Sequence, residues 1–163
     1  MISWIKHPYN FFKQPHRIGD IIDHEGKMFY VIGIEDIQFG TSQKKVLVQY
    51  TVQELGADYI EPPSKPSLDP HYEFSHMVKV DDLKKNLAPW EGSLERPLKQ
   101  CRPGQTFNFE GQRFKIIEYT DLEVKGMDFE ISFSARVINP VSRKEAKARL
   151  LQERKKRTGI SLL

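Results

Sequence analysis

The amino-acid sequence predicts a mainly β protein: two tandem small antiparallel β-barrel repeats followed by a basic C-terminal α-helix. Three observations carry that expectation. The stretch Ile18–Asp36, IGDIIDHEGKMFYVIGIED, returns 85 positions later as Pro103–Asp121, PGQTFNFEGQRFKIIEYTD, with Gly19/Gly104, Glu25/Glu110, Gly26/Gly111, Phe29/Phe114, Ile32/Ile117 and Asp36/Asp121 identical. Each copy is followed by a run that alternates apolar with polar residues, the period of a strand with one buried face. Beyond residue 139 that period stops, and helix-capping residues and a high density of Lys and Arg take over.

In chain order, residues 1–17 form an arm in which Trp4, Tyr9, Phe11 and Phe12 interleave with Lys6, Lys13 and Arg17, broken by Pro8 and Pro15. Two readings of the arm stand: rings and cations presented to nucleic acid, or rings folded back over an end of a barrel. Residues 18–87 form the first repeat. Its hairpin turns through Asp23–Lys27, where Gly26 supplies the left-handed backbone that a tight turn needs. Glu25 and Glu110 precede the two turn glycines and are assigned to turn chemistry, not catalysis. Val46, Val48, Tyr50 and Val52 alternate with polar neighbours as a further strand.

A proline-rich loop, 61–70, interrupts the first repeat, as a spacer or a binding surface. His71–Val80 is expected to be the strand completing that repeat, and Asp81–Asn86 a short helical turn. Residues 88–100 are a linker. The second repeat, 101–138, ends on Phe129, Ile131, Phe133, Ala135 and Val137 in strict alternation.

Residues 139–163 are a basic helix and tail. Ser142 is placed as N-cap with Glu145 three positions on, Val141 as a staple to Ala146, and Gly159 as the residue after the C-cap, bounding a helix from Arg143 to Arg157. Its apolar stripe, Ala146, Leu150 and Leu151, is narrow, so it is expected to dock weakly or project.

With 163 residues, 39% of them apolar and 11% aromatic, the chain belongs with globular proteins. No apolar run approaches the roughly 20 residues of a membrane span, and the N-terminus lacks the features of a signal peptide, so no membrane association and a cytoplasmic location, or one in an assembled particle, are expected. The net charge of +3 is unevenly spread: residues 1–17 and 139–163 together carry +9, leaving −6 on residues 18–138. An anionic partner would therefore meet the ends.

Cys101 is the single cysteine, which excludes an intramolecular disulfide and a multi-cysteine zinc site. His71, Glu73 and His76 form the H-x-E half of a zinc-deaminase pattern whose P-C-x-x-C half is missing, and on a strand His76 faces away from the other two. The nucleophile elbow, H-E-x-x-H, and the phosphate-binding glycine motifs are likewise missing from the sequence. The expectation is a protein without catalytic residues, metal or cofactor.

The pattern Gly19-Asp20-x-Ile22, Glu25-Gly26, Phe29-x-Val31-Ile32 resembles the Tudor/KOW type of small barrel and, more loosely, the β-modules of phage connector and tail-assembly proteins. The likeness spans about 20 residues per repeat. It implies barrels that bind proteins or nucleic acids, and assigns no residue a role.

Two functions follow as expectations. One is an adaptor or assembly protein gripping protein partners in a larger, phage-particle-like complex, through barrel edges and terminal arms; self-association is compatible with it. The other is a nucleic-acid-binding accessory protein. The candidate binding residues are common to both: Trp4, Lys6, Tyr9, Phe11, Phe12, Lys13 and Arg17 in the arm, and Arg143, Lys147, Arg154, Lys155, Lys156 and Arg157 in the helix.

Overall fold

Strand alternation fixes which side chains meet in the interior, and nine strands do so among the described residues. The structure, a computed structural model, describes residues 2–56, 70–90, 92 and 94–159. Apart from Pro70, the proline-rich loop lies outside the described residues.

The strands are β1 (Ile2–Asn10), β2 (Ile21–His24), β3 (Lys27–Gly40), β4 (Lys45–Glu54), β5 (Tyr72–Val78), β6 (Arg96–Pro97), β7 (Thr106–Phe109), β8 (Gln112–Lys125) and β9 (Asp128–Val137). A 3-10 turn at Val80–Asp82 and the one-turn helix α1 (Leu83–Asn86) follow β5, and α2 (Arg143–Arg157) follows β9. All pairings are antiparallel, in a single open sheet of order β1-β4-β3-β8-β9-β5, with β2 and β6 added along β3 and β7 along β8. The mainly β, antiparallel expectation and the C-terminal helix are thus met. The strands join in one continuous sheet whose path ends on β1 and β5.

Geometry recurs at the 85-residue offset. Both hairpins close on a two-residue Glu-Gly turn with left-handed backbone at both positions, φ 52° and 77° at Glu25 and Gly26, 48° and 78° at Glu110 and Gly111. This is tighter than the sequence suggests, and is the turn that matches strand twist. Register shifts fall between Val31/Gly33 and Ile34/Asp36 in β3, and between Ile116/Glu118 and Tyr119/Asp121 in β8. The Gly19 N–H donates to the Val31 carbonyl and the Gly104 N–H to the Ile116 carbonyl, both at 2.9 Å. β3 and β8 meet at one pair, Ile34 and Tyr119, themselves 85 residues apart.

Three boundaries differ from the sequence-based expectation. The N-terminal residues 2–10 form no separate arm: they are edge strand β1, paired with β4 along its whole length. Pro8 is tolerated there because an edge strand leaves one side without ladder bonds. The strand at Tyr72–Val78 pairs with β9 and so completes the second half, not the first. The 88–100 linker contributes β6, which pairs with Gln38 and Phe39, and the buried Leu98. By contrast the short helical turn, and α2 with its Ser142 cap, lie where the sequence places them.

The core runs through both halves. Val31, Ile37, Phe39, Val46, Val48 and Val52 from the first are buried together with Leu122, Phe129 and Ile131 from the second. Phe11 sits between them, its ring 6.4 Å from Phe39 and 5.6 Å from Phe129. Removing these side chains from water is the main stabilising term.

Candidate partner-binding surfaces

The inward side chains of β1 to β4 build the core, so their alternate residues form one outward face. Pairing aligns Ile2, Gln53, Tyr30 and Ile21 in a row across β1, β4, β3 and β2. Trp4 lies two residues along β1 on one side of this row and Met28 two residues along β3 on the other, both on the outward face. Trp4 is 63% exposed and Tyr30 42% exposed, and Ile2, Ile21, Met28 and Leu55 are exposed as well. Gln53 and Thr51 separate Ile2 and Trp4 from the apolar cluster on β2 and β3, and an exposed apolar cluster of that kind is uncommon on a protein that meets only water. Asp23 opposite Met28, Glu25 in the turn and Glu35, which accepts a 2.6 Å hydrogen bond from Thr51 Oγ1, give its rim negative charge.

The matching positions of the second half carry different chemistry. Where the first half has Ile21, Met28, Tyr30 and Gln53, the second has Thr106, Arg113, Lys115 and Arg136. Arg113 bonds Thr106 Oγ1 and Asn108 Oδ1 across the hairpin, a finished polar surface. The backbone geometry is alike, and around the hairpin the outward side chains change from apolar in the first half to polar in the second. Of these apolar residues, Trp4 alone is among the candidates read from the sequence. Comparing the outward positions of the two copies strand by strand is the signal that finds them.

The N-terminal candidates are divided by the fold. Trp4 and Lys6 are exposed on the outward face of β1, and Phe12 and Lys13 are exposed just beyond it. Tyr9 and Phe11 are core residues and present no ring to a partner. Tyr9 Oη lies 2.7 Å from His16 Nδ1 and 3.1 Å from Tyr50 Oη, and the Tyr50 hydroxyl donates to the His16 carbonyl at 2.8 Å. Burial raises the pKa of both phenols, so at neutral pH they remain uncharged. Burial also lowers that of His7, whose ring lies 4.6 Å from Tyr9. The cluster ties residues 11–17 to the first half.

Arg17 is occupied. Its Nε and Nη2 reach the two carboxylate oxygens of Asp121 at 2.9 and 2.7 Å, with Glu123 at 3.4 Å. The Asp121 hydrogen bond, ahead of the burial that opposes it, raises the guanidinium pKa further. Gln14 completes this seam: its amide donates to the Leu122 carbonyl and its carbonyl accepts from the Val124 N–H, satisfying backbone groups on the open side of β8.

Between β5 and β7 a cleft of about 700 Å³ is lined by Phe74, Phe107, Phe109 and Phe133, with His76 and Lys99 among its polar groups. The Phe74 ring is 5.0 Å from Phe107 and 5.2 Å from Phe109. Cys101 also borders it, and burial pushes its thiol up to about 12. Among the described residues no three His, Cys, Asp or Glu side chains are grouped to hold a metal ion, and no helix is long and apolar enough to cross a membrane.

The C-terminal candidates all lie on α2. Ser142 Oγ accepts from the Glu145 N–H at 3.2 Å and Gly159 adopts φ 69° after the last turn. No residue of α2 is buried. Arg143, Lys147, Arg154, Lys156 and Arg157 are exposed and Lys155 half-buried, as are, on the exposed side, Leu150 and Leu151. The arm and helix candidates are therefore not gathered into one site. Comparison of the chain with protein-family models, curated proteins and solved structures found no match.

Proposed function

We propose that the protein is a non-enzymatic adaptor or assembly protein, made of two copies of one β unit, that holds protein partners on the outward face of its first half. The observation that carries this reading is the contrast at three matching positions, Ile21/Thr106, Met28/Arg113 and Tyr30/Lys115, where the first half is apolar and exposed and the second polar. A shared backbone does not require that difference, whereas a partner covering one face does. The matched turns, register shifts and hydrogen bonds support duplication, with a local two-fold axis at Ile34 and Tyr119. The ring contacts between β5 and β7 support the view that the second copy curls toward a small barrel. A cytoplasmic setting or a larger particle suits such a protein.

The full-length chain, a Trp4→Arg/Tyr30→Arg variant and a Lys115→Ala/Arg136→Ala control, each used as bait in extract of the source cell, test this. Proteins retained by the wild type and control are expected to be lost from the first variant. An unchanged set overturns the assignment of the face.

Nucleic-acid binding is the second reading, and one observation favours it: none of the eight Lys and Arg residues of α2 has an ion pair among the described residues. Affinity for a single-stranded oligonucleotide should then fall by at least about tenfold between roughly 50 and 200 mM salt, since each phosphate contact releases counterions. Absence of binding at micromolar protein rejects it.

A further inference from the structure

The apolar face and the basic helix fit each other. α2 is a complete, capped helix of 15 residues that buries none of them, and isolated helices of about 12–15 residues are marginal in water. Its Leu150 and Leu151 are 52% and 55% exposed, flanked by Arg149 and Arg154. The first-half face offers the converse, an apolar centre around Tyr30 and Ile21 with Asp23, Glu25 and Glu35 at its rim against Lys6 and Lys27, the latter paired with Glu54 at 3.3 Å. Resting on the reading of that face as protein-binding, we infer that its occupant is helix α2 of a second copy of this chain.

Charge decides between the faces as well as for the partner. At the positions matching Ile21, Met28 and Tyr30 the second half carries Thr106, Arg113 and Lys115, with Arg136 beside Lys115, so the cations of α2 are repelled at that spot, while Glu73, Glu123 and Glu130 lie further along the same face. On the first-half face the leucines enter the apolar centre while arginines and lysines meet the acidic rim. Each copy carries one helix and one such face, so two copies satisfy each other by exchanging helices about a two-fold axis.

Sedimentation equilibrium of the full-length chain tests this. At about 100 μM the wild type is expected at twice its 19.0 kDa mass. A helix variant, Leu150→Asp/Leu151→Asp, and a face variant, Ile21→Arg/Tyr30→Arg, are each expected to be monomeric, with sheet circular dichroism retained because the substituted side chains are exposed. Mixed in equal amounts, the two variants should associate as a heterodimer, since one intact helix meets one intact face. Raising salt to about 0.5 M should weaken both dimers.

A monomeric wild type, a helix variant that still dimerises, or a mixture that stays monomeric overturns the inference. If the wild type is monomeric but the Trp4→Arg/Tyr30→Arg variant loses its captured proteins, the second-copy assignment fails and the adaptor reading stands. If capture is also unchanged, both fail.

Discussion

Removing one oxygen atom from Tyr119 should stabilise this protein, and removing the equivalent atom from Tyr50 should destabilise it. Both residues are buried tyrosines in the sheet, and burial raises both pKa values, so each is a neutral phenol throughout the working range. They differ in hydrogen bonding. Tyr50 Oη is bonded to Tyr9 Oη and to the His16 carbonyl, whereas Tyr119 Oη is buried with no partner among the described residues. An unpaired buried hydroxyl costs about 1–3 kcal/mol, and the small void left by its removal takes back part of that gain. Tyr119→Phe is therefore expected to gain about 1 kcal/mol, or roughly 2–4 °C in Tm for a chain of this length. Tyr50→Phe strands the His16 carbonyl and removes one of the two partners of the Tyr9 hydroxyl, and should lose about 1–3 kcal/mol. Calorimetry gives the two signs, and urea unfolding with unchanged slope checks that the transition stays two-state. If Tyr119→Phe is as destabilising as Tyr50→Phe, the Tyr119 hydroxyl is bonded and the packing described where the halves meet is wrong.

Other consequences are simpler. The Cys101 thiol should not react with a disulfide reagent at pH 8 until the protein is unfolded, because it is buried and its pKa is pushed up to about 12 from an ordinary 9.0. The unfolded chain releases that proton above pH 9 while the folded one keeps it to about 12, so this group lowers stability as pH rises past 9 and leaves it unaffected below. Gly26→Ala and Gly111→Ala each force a side chain into left-handed backbone and should each lower the urea midpoint by the equivalent of about 1–2 kcal/mol, similarly in the two turns. Arg17→Ala breaks a bidentate but half-exposed pair, so its loss should stay within about 1 kcal/mol and shrink in high salt.

Local chemistry made part of this fold legible in the sequence. The limits of α2 follow from Ser142, Glu145 and Gly159, because caps act within one turn of the backbone. The two hairpins follow from Glu-Gly and the alternation around it. What stayed hidden was long-range. Nothing near Trp4–Asn10 announces a strand, since proline and the mixture of rings and cations mask an edge whose partner, β4, is about 40 residues away. Tyr72–Val78 looks like the end of the first repeat by position alone, yet pairs with β9, more than 50 residues on. Arg17 reads as a free cation until Asp121 is brought beside it. The apolar face was present in the sequence as Ile21, Met28 and Tyr30, but only the pairing register shows that these residues share one surface with Ile2 and Trp4.

Hydroxyl-radical footprinting of the full-length chain in its assembled or partner-bound state tests the central claim most directly, because Trp4, Met28 and Tyr30 are exposed and strongly reactive side chains on the face in question. Binding through that face predicts that oxidation of these three falls several-fold on association, while Met127 and Tyr72 in the second half keep their reactivity. Unchanged oxidation of Trp4, Met28 and Tyr30, with protection confined to the second half, contradicts it.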